Sequence, residues 1–454
     1  MTVKIQFLGA AGTVTGSKFL LKTETSKLLI DCGLFQGFKQ LRLRNRERLP
    51  FNPKELDAVI LTHAHIDHSG YVPALIKSGY DGPVHCTTGT TELCKILLPD
   101  SGYLQEKHAE HANRHDYSRH KPAKPLYGLK DARDSLAQFQ SHLFNRRVDL
   151  GNNIYLTFHM AGHILGAAIV EVSINGRSIV FTGDLGRPND PLMKPPAVIE
   201  QADYLIVEST YGDREHGNEN PEIVLAEVIN RTLQRFGTII IPSFAVGRTQ
   251  SLLYHLAQLK NSEKIFDAPI YLDSPMAVNT TKLFGRHSAD HKLPLNVCDD
   301  VFGIAHYVNS VEESKLITSD RTPKIIISAS GMATGGRVVH HLKKYMIDKN
   351  NTVIFAGFQA GGTRGADLVN GADEIKIHGH HYPVRAEIFQ LDMLSAHADS
   401  KEILEWLRHF KRSPRKTFIV HGEPKASDAL RLKIEKTYGW SCSVPEHNSV
   451  HPLL

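Results

Sequence analysis

The sequence predicts an α/β protein of two domains, the second inserted into the first. Three observations carry this. A chain of 454 residues has room for two domains and a large core. Up to about Thr210 it is rich in strands and hairpins. From about Pro221 to Asp373, short apolar strands alternate instead with helical stretches.

The elements follow in order. The run 1–9, Met-Thr-Val-Lys-Ile-Gln-Phe-Leu-Gly, begins a strand at once and shows no apolar leader region. The run 56–61, Leu-Asp-Ala-Val-Ile-Leu, reads as a buried strand that breaks into a loop at Thr62. Between about residues 100 and 145 the pattern becomes charged and helical and carries His108, His111, His115 and His120. These four admit a metal cluster, but an exposed helical insertion near the mouth of a site explains them with less. The runs 167–172 and 178–181 read as a hairpin closed through Asn175-Gly176, a strong signal for a tight turn. The runs 238–242, 269–273, 324–328 and 352–357 are continuous apolar strands of the kind found in a parallel sheet covered on both faces. The chain is then expected to return to the first domain near Glu387–Leu391. The resulting division is 1–210, 211–377 and 378–454, with the outer two parts forming one domain. No repeat or low-complexity stretch appears.

One segment concentrates chemistry. Residues 62–70, Thr-His-Ala-His-Ile-Asp-His-Ser-Gly, place His63, His65, Asp67 and His68 where a strand ends and a helix starts. Imidazole nitrogen and carboxylate oxygen suit zinc and related first-row metals. His63 and His65 are two apart and share a face of an extended segment, whereas Asp67 and His68 lie past the bend and can serve a second ion. One loop cannot close two coordination shells. His163, between Gly162 and Gly166, and Asp184 and His421, each ending an apolar strand, are the candidates for the remainder. Singly, each is better explained as a turn or capping residue. Together with the His-rich loop they read as ligands.

On these residues the chain resembles the metallo-β-lactamase superfamily, and within it the β-CASP branch of nucleic-acid hydrolases. The opening signature falls on His63, His65, Asp67 and His68, the later His and bridging Asp on His163 and Asp184, and the early strand-end Asp on Asp31. The branch's own marks fall on Glu208, His397 and His421. The resemblance implies an αββα sandwich interrupted by a β-CASP domain, with the active site in the cleft between them. It implies two Zn²⁺ ions, one on His63, His65 and His163 and the other on Asp67, His68 and His421, with Asp184 bridging. The same donors accept manganese or iron. It further implies a two-metal hydrolysis of phosphodiesters by a metal-bound hydroxide, since zinc brings the pKa of bound water towards ~7. Asp67, Asp184, Glu208 and His397 are then the catalytic set. His397 is the candidate general acid, Glu208 its partner, and Asp31 an outer residue that orients a ligand histidine. A helix-cap role is the plain alternative for His397.

His421, where DNA-processing members of the branch typically carry Val, leans the substrate towards single-stranded RNA. Relatives with amino-terminal KH modules, and ribonuclease J with its extra carboxy-terminal domain, differ from this chain at the two ends.

Phosphate contacts are sought in three loops that follow buried strands and open helices. Ser243 and Arg248 lie in the first, Ser330, Gly331 and Arg337 in the second, and Arg364 in the third. Tight strand-to-helix turns in an α/β domain account for the same glycines and serines.

Composition constrains the rest. The net charge of +5 is a weak basic bias that neither demands nor excludes a polyanion. Most lysines and arginines read as a solvated surface. The 5 cysteines show no paired spacing and read as reduced thiols. No apolar run is long enough for a bilayer. A soluble, cytoplasmic protein without membrane contact is expected, and a homodimer is compatible with this reading. Against the ribonuclease stand a hydrolase of a small ester, thioester or phosphodiester, and a non-catalytic RNA-binding scaffold. Small-substrate relatives lack the inserted domain, and the full ligand set argues against the scaffold.

Overall fold

A computed structural model describes residues 2–115, 121–217 and 219–453. His120 lies outside the described residues. The chain divides into two compact units, one of residues 1–215 and 397–454, the other of 216–396.

The first unit holds two seven-stranded sheets. One runs in the order Val450–Pro452, Lys4–Phe7, Phe19–Lys22, Lys27–Ile30, Ala58–Ile60, Val84–Thr87, Phe139–His142. The other runs Cys442–Ser443, Lys416–Val420, Tyr204–Glu208, Arg177–Phe181, Ala168–Ile174, Ile154–Met160, Arg147–Asp149. Strands such as Ile154–Met160 bury alternate residues, so each sheet turns one apolar face inward. Those faces meet in a core that includes Phe7, Phe19, Phe181 and Phe418. Phe7 sits 5.1 Å from Phe418 and Phe19 5.9 Å from Phe181, ring centre to ring centre. The Asn175-Gly176 turn forms as expected, with φ of 51° and 78°, and pairs Arg177 with Ile174.

The helical stretch begins earlier than its charge pattern suggests. Helix Thr88–Arg114 is capped by Thr87, whose hydroxyl accepts from Thr90 N at 3.2 Å, and it tolerates Pro99 in its interior. A shorter helix, Leu129–Ser135, follows. Phe139–His142 is then a strand that pairs in parallel with Val84–Thr87, inside the span expected to be helical. His111 and His115 lie one helical turn apart, with ring centres 4.3 Å apart and planes tilted by 44°.

The second unit holds an all-parallel, six-stranded sheet in the order Ala305–Tyr307, Ile270–Leu272, Ile325–Ser328, Ile239–Pro242, Thr352–Ala356, Glu387–Leu391, and a small antiparallel pair, Glu374–Ile377 with His380–Pro383. Its central strands are buried along their whole length, as the continuous apolar runs require. The last strand corrects an expectation. Glu387–Leu391 does not return to the first unit but pairs with Thr352–Ala356, and the crossing comes at His397. A five-residue strand with Ile388, Phe389 and Leu391 satisfies either sheet, so its sequence does not declare its partner. Among the described residues no helix is long and apolar enough to cross a membrane.

Candidate metal centre

Every residue read as a metal ligand comes from the first unit, and each sits where a strand or turn ends. Ala58–Ile60 delivers His63 and His65, and the short helix Ile66–Ser69 carries Asp67 and His68. Arg177–Phe181 leads to Asp184, Tyr204–Glu208 ends on Glu208, and Lys416–Val420 leads to His421. The last three strands are parallel neighbours, so their carboxyl ends lie at one edge of the sheet.

Backbone fit tightens this edge. Cys32 N donates to His68 O at 2.7 Å, Leu34 N to Ile66 O at 2.9 Å, and Ser17 N to Asp67 O at 2.8 Å. A Cβ on Gly33 would stand 1.5 Å from Asp67 O. Gly33→Ala therefore forces the Asp67 backbone to move. It should cost more than the ~1–3 kcal/mol of ordinary overpacking and lower metal content together with the urea midpoint. An unchanged midpoint would contradict this close approach.

The side chains converge in two groups. Donor atoms of His63, His65, His163 and Asp184 lie within 4.8 Å of one another, and those of Asp67, His68 and His421 do the same. His65 Nδ1 is 3.1 Å from His63 Nε2 and 3.2 Å from His163 Nε2, and His68 Nε2 is 3.0 Å from His421 Nε2. Asp184 reaches both groups. Its Oδ2 is 3.4 Å from His63 Nε2 and 3.5 Å from His163 Nε2, and its Oδ1 is 3.3 Å from His68 Nε2.

Other contacts orient the ligands. Asp31 Oδ2 takes His68 Nδ1 at 2.7 Å and Oδ1 accepts from Thr62 N at 2.8 Å, which turns His68 Nε2 towards the cluster. Thr210 Oγ1 lies 3.1 Å from His421 Nδ1 and Thr62 Oγ1 3.1 Å from His63 Nδ1. His397 presents Nδ1 to Glu208 at 3.1 and 3.2 Å, and its Nε2 lies 4.0 Å from Asp184 Oδ2. Glu208 is fully buried and also accepts from Leu185 N at 2.6 Å.

The electrostatics match the geometry. Burial, then the neighbouring imidazoles, pushes His63 and His163 down and His65 to about 3, so these rings are neutral donors near neutral pH. Burial also opposes charge on His68, but Asp184, Asp31 and Asp67 outweigh it and raise its pKa. Burial likewise works against ionised Asp184, yet the surrounding histidines hold it well below the usual carboxylate range. For His397, burial is overcome by Glu208 and then Asp184, and the pKa rises.

A metal ion fits this donor set. Asp184 Oδ1 is buried with no hydrogen-bond partner among the described residues, an arrangement that costs free energy unless a cation satisfies it. His63, His65 and His163, three rings kept neutral by burial, bring ring nitrogens to 3.1–3.2 Å of one another, a convergence that suits a shared cation.

Comparison with known proteins agrees. The sequence matches the Metallo-beta-lactamase superfamily over residues 12–218, the Beta-Casp domain over 249–368 and the Zn-dependent metallo-hydrolase RNA specificity domain over 381–445. It is 34% identical over 440 residues to Ribonuclease TTHA0252 of Thermus thermophilus, covering 94% of this chain and 95% of that protein. The chain belongs to the metallo-β-lactamase superfamily, in its Beta-Casp branch. This Beta-Casp protein is also 32% identical over 467 residues to Transcription termination factor FttA of Methanocaldococcus jannaschii, with 96% of this chain and 70% of that one covered. A solved protein of unknown function from Enterococcus faecalis V583 shares the fold across 100% of both chains, at a TM-score of 0.53 and 14% identity. A Beta-Casp member with this His/Asp cluster is a metal-dependent hydrolase.

The residues read as phosphate contacts lie in the second unit, where the structure gives them local partners. Arg248 Nη1 donates to Ala356 O at 2.6 Å. Arg337 Nη1 donates to Asp273 Oδ1 at 2.6 Å, and Arg364 donates to the carbonyls of Lys376, Ala333 and Thr334. Ser243 is buried beside Thr249, Ser330 Oγ accepts from Thr334 N at 3.0 Å, and Gly331 packs against Phe244. An arginine after a glycine turn reads alike whether it grips phosphate or carbonyl oxygen.

Two features escaped the sequence reading. One is the buried network of Asp273 with Arg337, Ser314 and His341, the last at 2.7 Å. The other is Lys18, buried beneath the ligand loop, where its ammonium donates to Gly33 O between the rings of Phe35 and Tyr71, 4.9 and 4.7 Å away. Burial lowers Lys18 to about 8 from an ordinary 10.5. Above pH 8 the unfolded chain holds this proton and the folded chain releases it, so the contribution of Lys18 to stability rises with pH up to about 10.5. Relative to Lys18→Met, the wild type should gain ~1 kcal/mol in unfolding free energy between pH 8 and 9 by urea titration. A difference that stays flat across that range would contradict it.

Proposed function

We propose that this protein is a zinc-dependent ribonuclease acting on single-stranded RNA. The observation that carries the reading is His397, held by Glu208 beside a complete seven-residue donor set. The ribonuclease relative, similar over nearly its whole length, supports the substrate class.

His63, His65 and His163 would hold one zinc ion and Asp67, His68 and His421 the second, with Asp184 reaching both. When bound, such ions supply Lewis acidity and activate water at neutral pH. The chain's own residues do the rest. Asp31 and Thr210 fix the ring orientations of His68 and His421. Glu208 takes the Nδ1–H of His397 and favours its protonated form, which leaves a proton on Nε2 facing the cluster. That proton passes to the departing 3′-oxygen, which would otherwise leave as a poor, charged group.

The test uses metal-quantified protein, 5′-labelled single-stranded RNA and matched DNA. RNA should be cut, chelation should stop the cutting, and added zinc should restore it. RNA left intact by fully metallated protein would move the reading to a small ester or thioester hydrolase.

A further inference from the structure

The region 36–48 stands out once the ligand loop is placed. The ten residues 39–48 contain Lys39, Arg42, Arg44, Arg46 and Arg48 against the single carboxylate Glu47, a net +4 where the whole chain carries +5. Residues 408–416 carry five more cations, but Arg408, Lys411, Arg412 and Arg415 there are paired with Glu405, Glu200 and Asp203. Lys39, Arg42, Arg46 and Arg48 are exposed, and Lys39, Arg42 and Arg48 form no ion pair among the described residues. Elsewhere many surface cations are paired, as Lys77 is with Asp131 and Arg431 with Asp428.

The segment is also anchored. Asn45 clasps Phe35, accepting from its N at 2.9 Å and donating to its O at 2.8 Å, so residues 36–44 form an excursion closed at its base. Arg44 caps the Phe35 ring at 5.5 Å, and Arg46 donates to Lys124 O. Phe35 lies two residues beyond Gly33, which is pressed against the Asp67 backbone. The excursion therefore springs from the loop that packs against the metal ligands. At its tip Phe38 and Leu43 are each 54% exposed.

We propose that residues 38–48 are a docking surface for single-stranded RNA outside the scissile bond. The cations contact successive phosphates, and Phe38 offers a ring on which a base stacks. The inference rests on the ribonuclease reading and extends it to a stretch of the substrate that the metal centre does not touch. Contacts to phosphate position a strand without reading its sequence, so the surface favours length over sequence.

The experiment measures affinity for a 20-nucleotide RNA against salt, using metal-loaded protein with His397→Ala to prevent cutting. The variant adds Lys39→Gln, Arg42→Gln and Arg48→Gln. A control of equal charge change carries Lys264→Gln, Lys282→Gln and Lys349→Gln, three exposed lysines of the second unit. The patch variant should bind on the order of tenfold more weakly at 0.1 M salt, with its log–log salt slope reduced by about 2, since each lost contact to a single strand removes about 0.7. The control should keep the parental slope. Unchanged metal content and thermal midpoint establish that the patch variant is folded. Parental affinity and slope in the patch variant, or an equal loss in the control, would overturn the proposal. Failure of the unsubstituted protein to cut RNA would instead sink the ribonuclease reading, and the comparison of slopes would still decide the surface.

Discussion

Asp184→Asn should leave the protein without measurable RNA cleavage and with less bound metal. Asp184 approaches both donor groups, at 3.3–3.5 Å from His63, His163 and His68. Asparagine keeps the shape but removes the negative charge and turns an N–H₂ towards one group. The loss should exceed the ~10–100-fold typical of changes to residues that only orient ligands, because here a donor itself is lost. Metal analysis alongside a labelled-RNA assay checks this. Full metal content with cleavage within tenfold of wild type would show that Asp184 is not shared between two ions.

His397→Ala should separate chemistry from metal binding. Its ring lies outside both donor groups, so metal content should stay at the wild-type value while kcat falls ~10²–10⁴-fold, the usual worth of a positioned proton donor. Glu208→Gln should have a milder effect of a distinct kind. Glu208 raises the pKa of His397, so its neutralisation lets that pKa fall and moves the alkaline limb of the pH–rate profile to lower pH. An alkaline limb that stays in place would break the link between the two residues. Loss of metal in His397→Ala would make it a ligand.

Much of the centre was legible in the sequence because four donors fall within six residues of a single loop. His163, Asp184 and His421 are another matter. His421 is 353 residues from His68, and its place at a strand end made it a candidate that the family resemblance then assigned to the second group. The hairpin at Asn175-Gly176 was legible because the turn needs two left-handed residues, and that is a local demand. The destination of Glu387–Leu391 was not, since a short, half-buried strand does not show beside which neighbour it pairs. Lys18 was illegible for the opposite reason. A lysine reads as surface, and the carbonyl of Gly33 and the rings of Phe35 and Tyr71 that hold it inside lie 15 or more positions along the chain. Arg337 looked like an anion's partner, and it is one, but the anion is Asp273, 64 residues away in the same chain.

The pairing of Glu208 with His397 spans 189 positions, and the second unit runs from 216 to 396 between them. In topological terms the proton relay is the clasp of a purse and the whole inserted unit is its contents. Ser209 Oγ donates to Val420 O at 2.7 Å and Ser400 Oγ to Arg214 O at 2.9 Å, so the two ends of the insertion are fastened at several points. A cut within a loop of the second unit puts His397 and the ligand His421 on one fragment and the other six donors on the other, held together by the pairing of Lys416–Val420 with Tyr204–Glu208. Proteolytic nicking should accordingly change acid catalysis and metal retention together, since both depend on the same fragment staying docked.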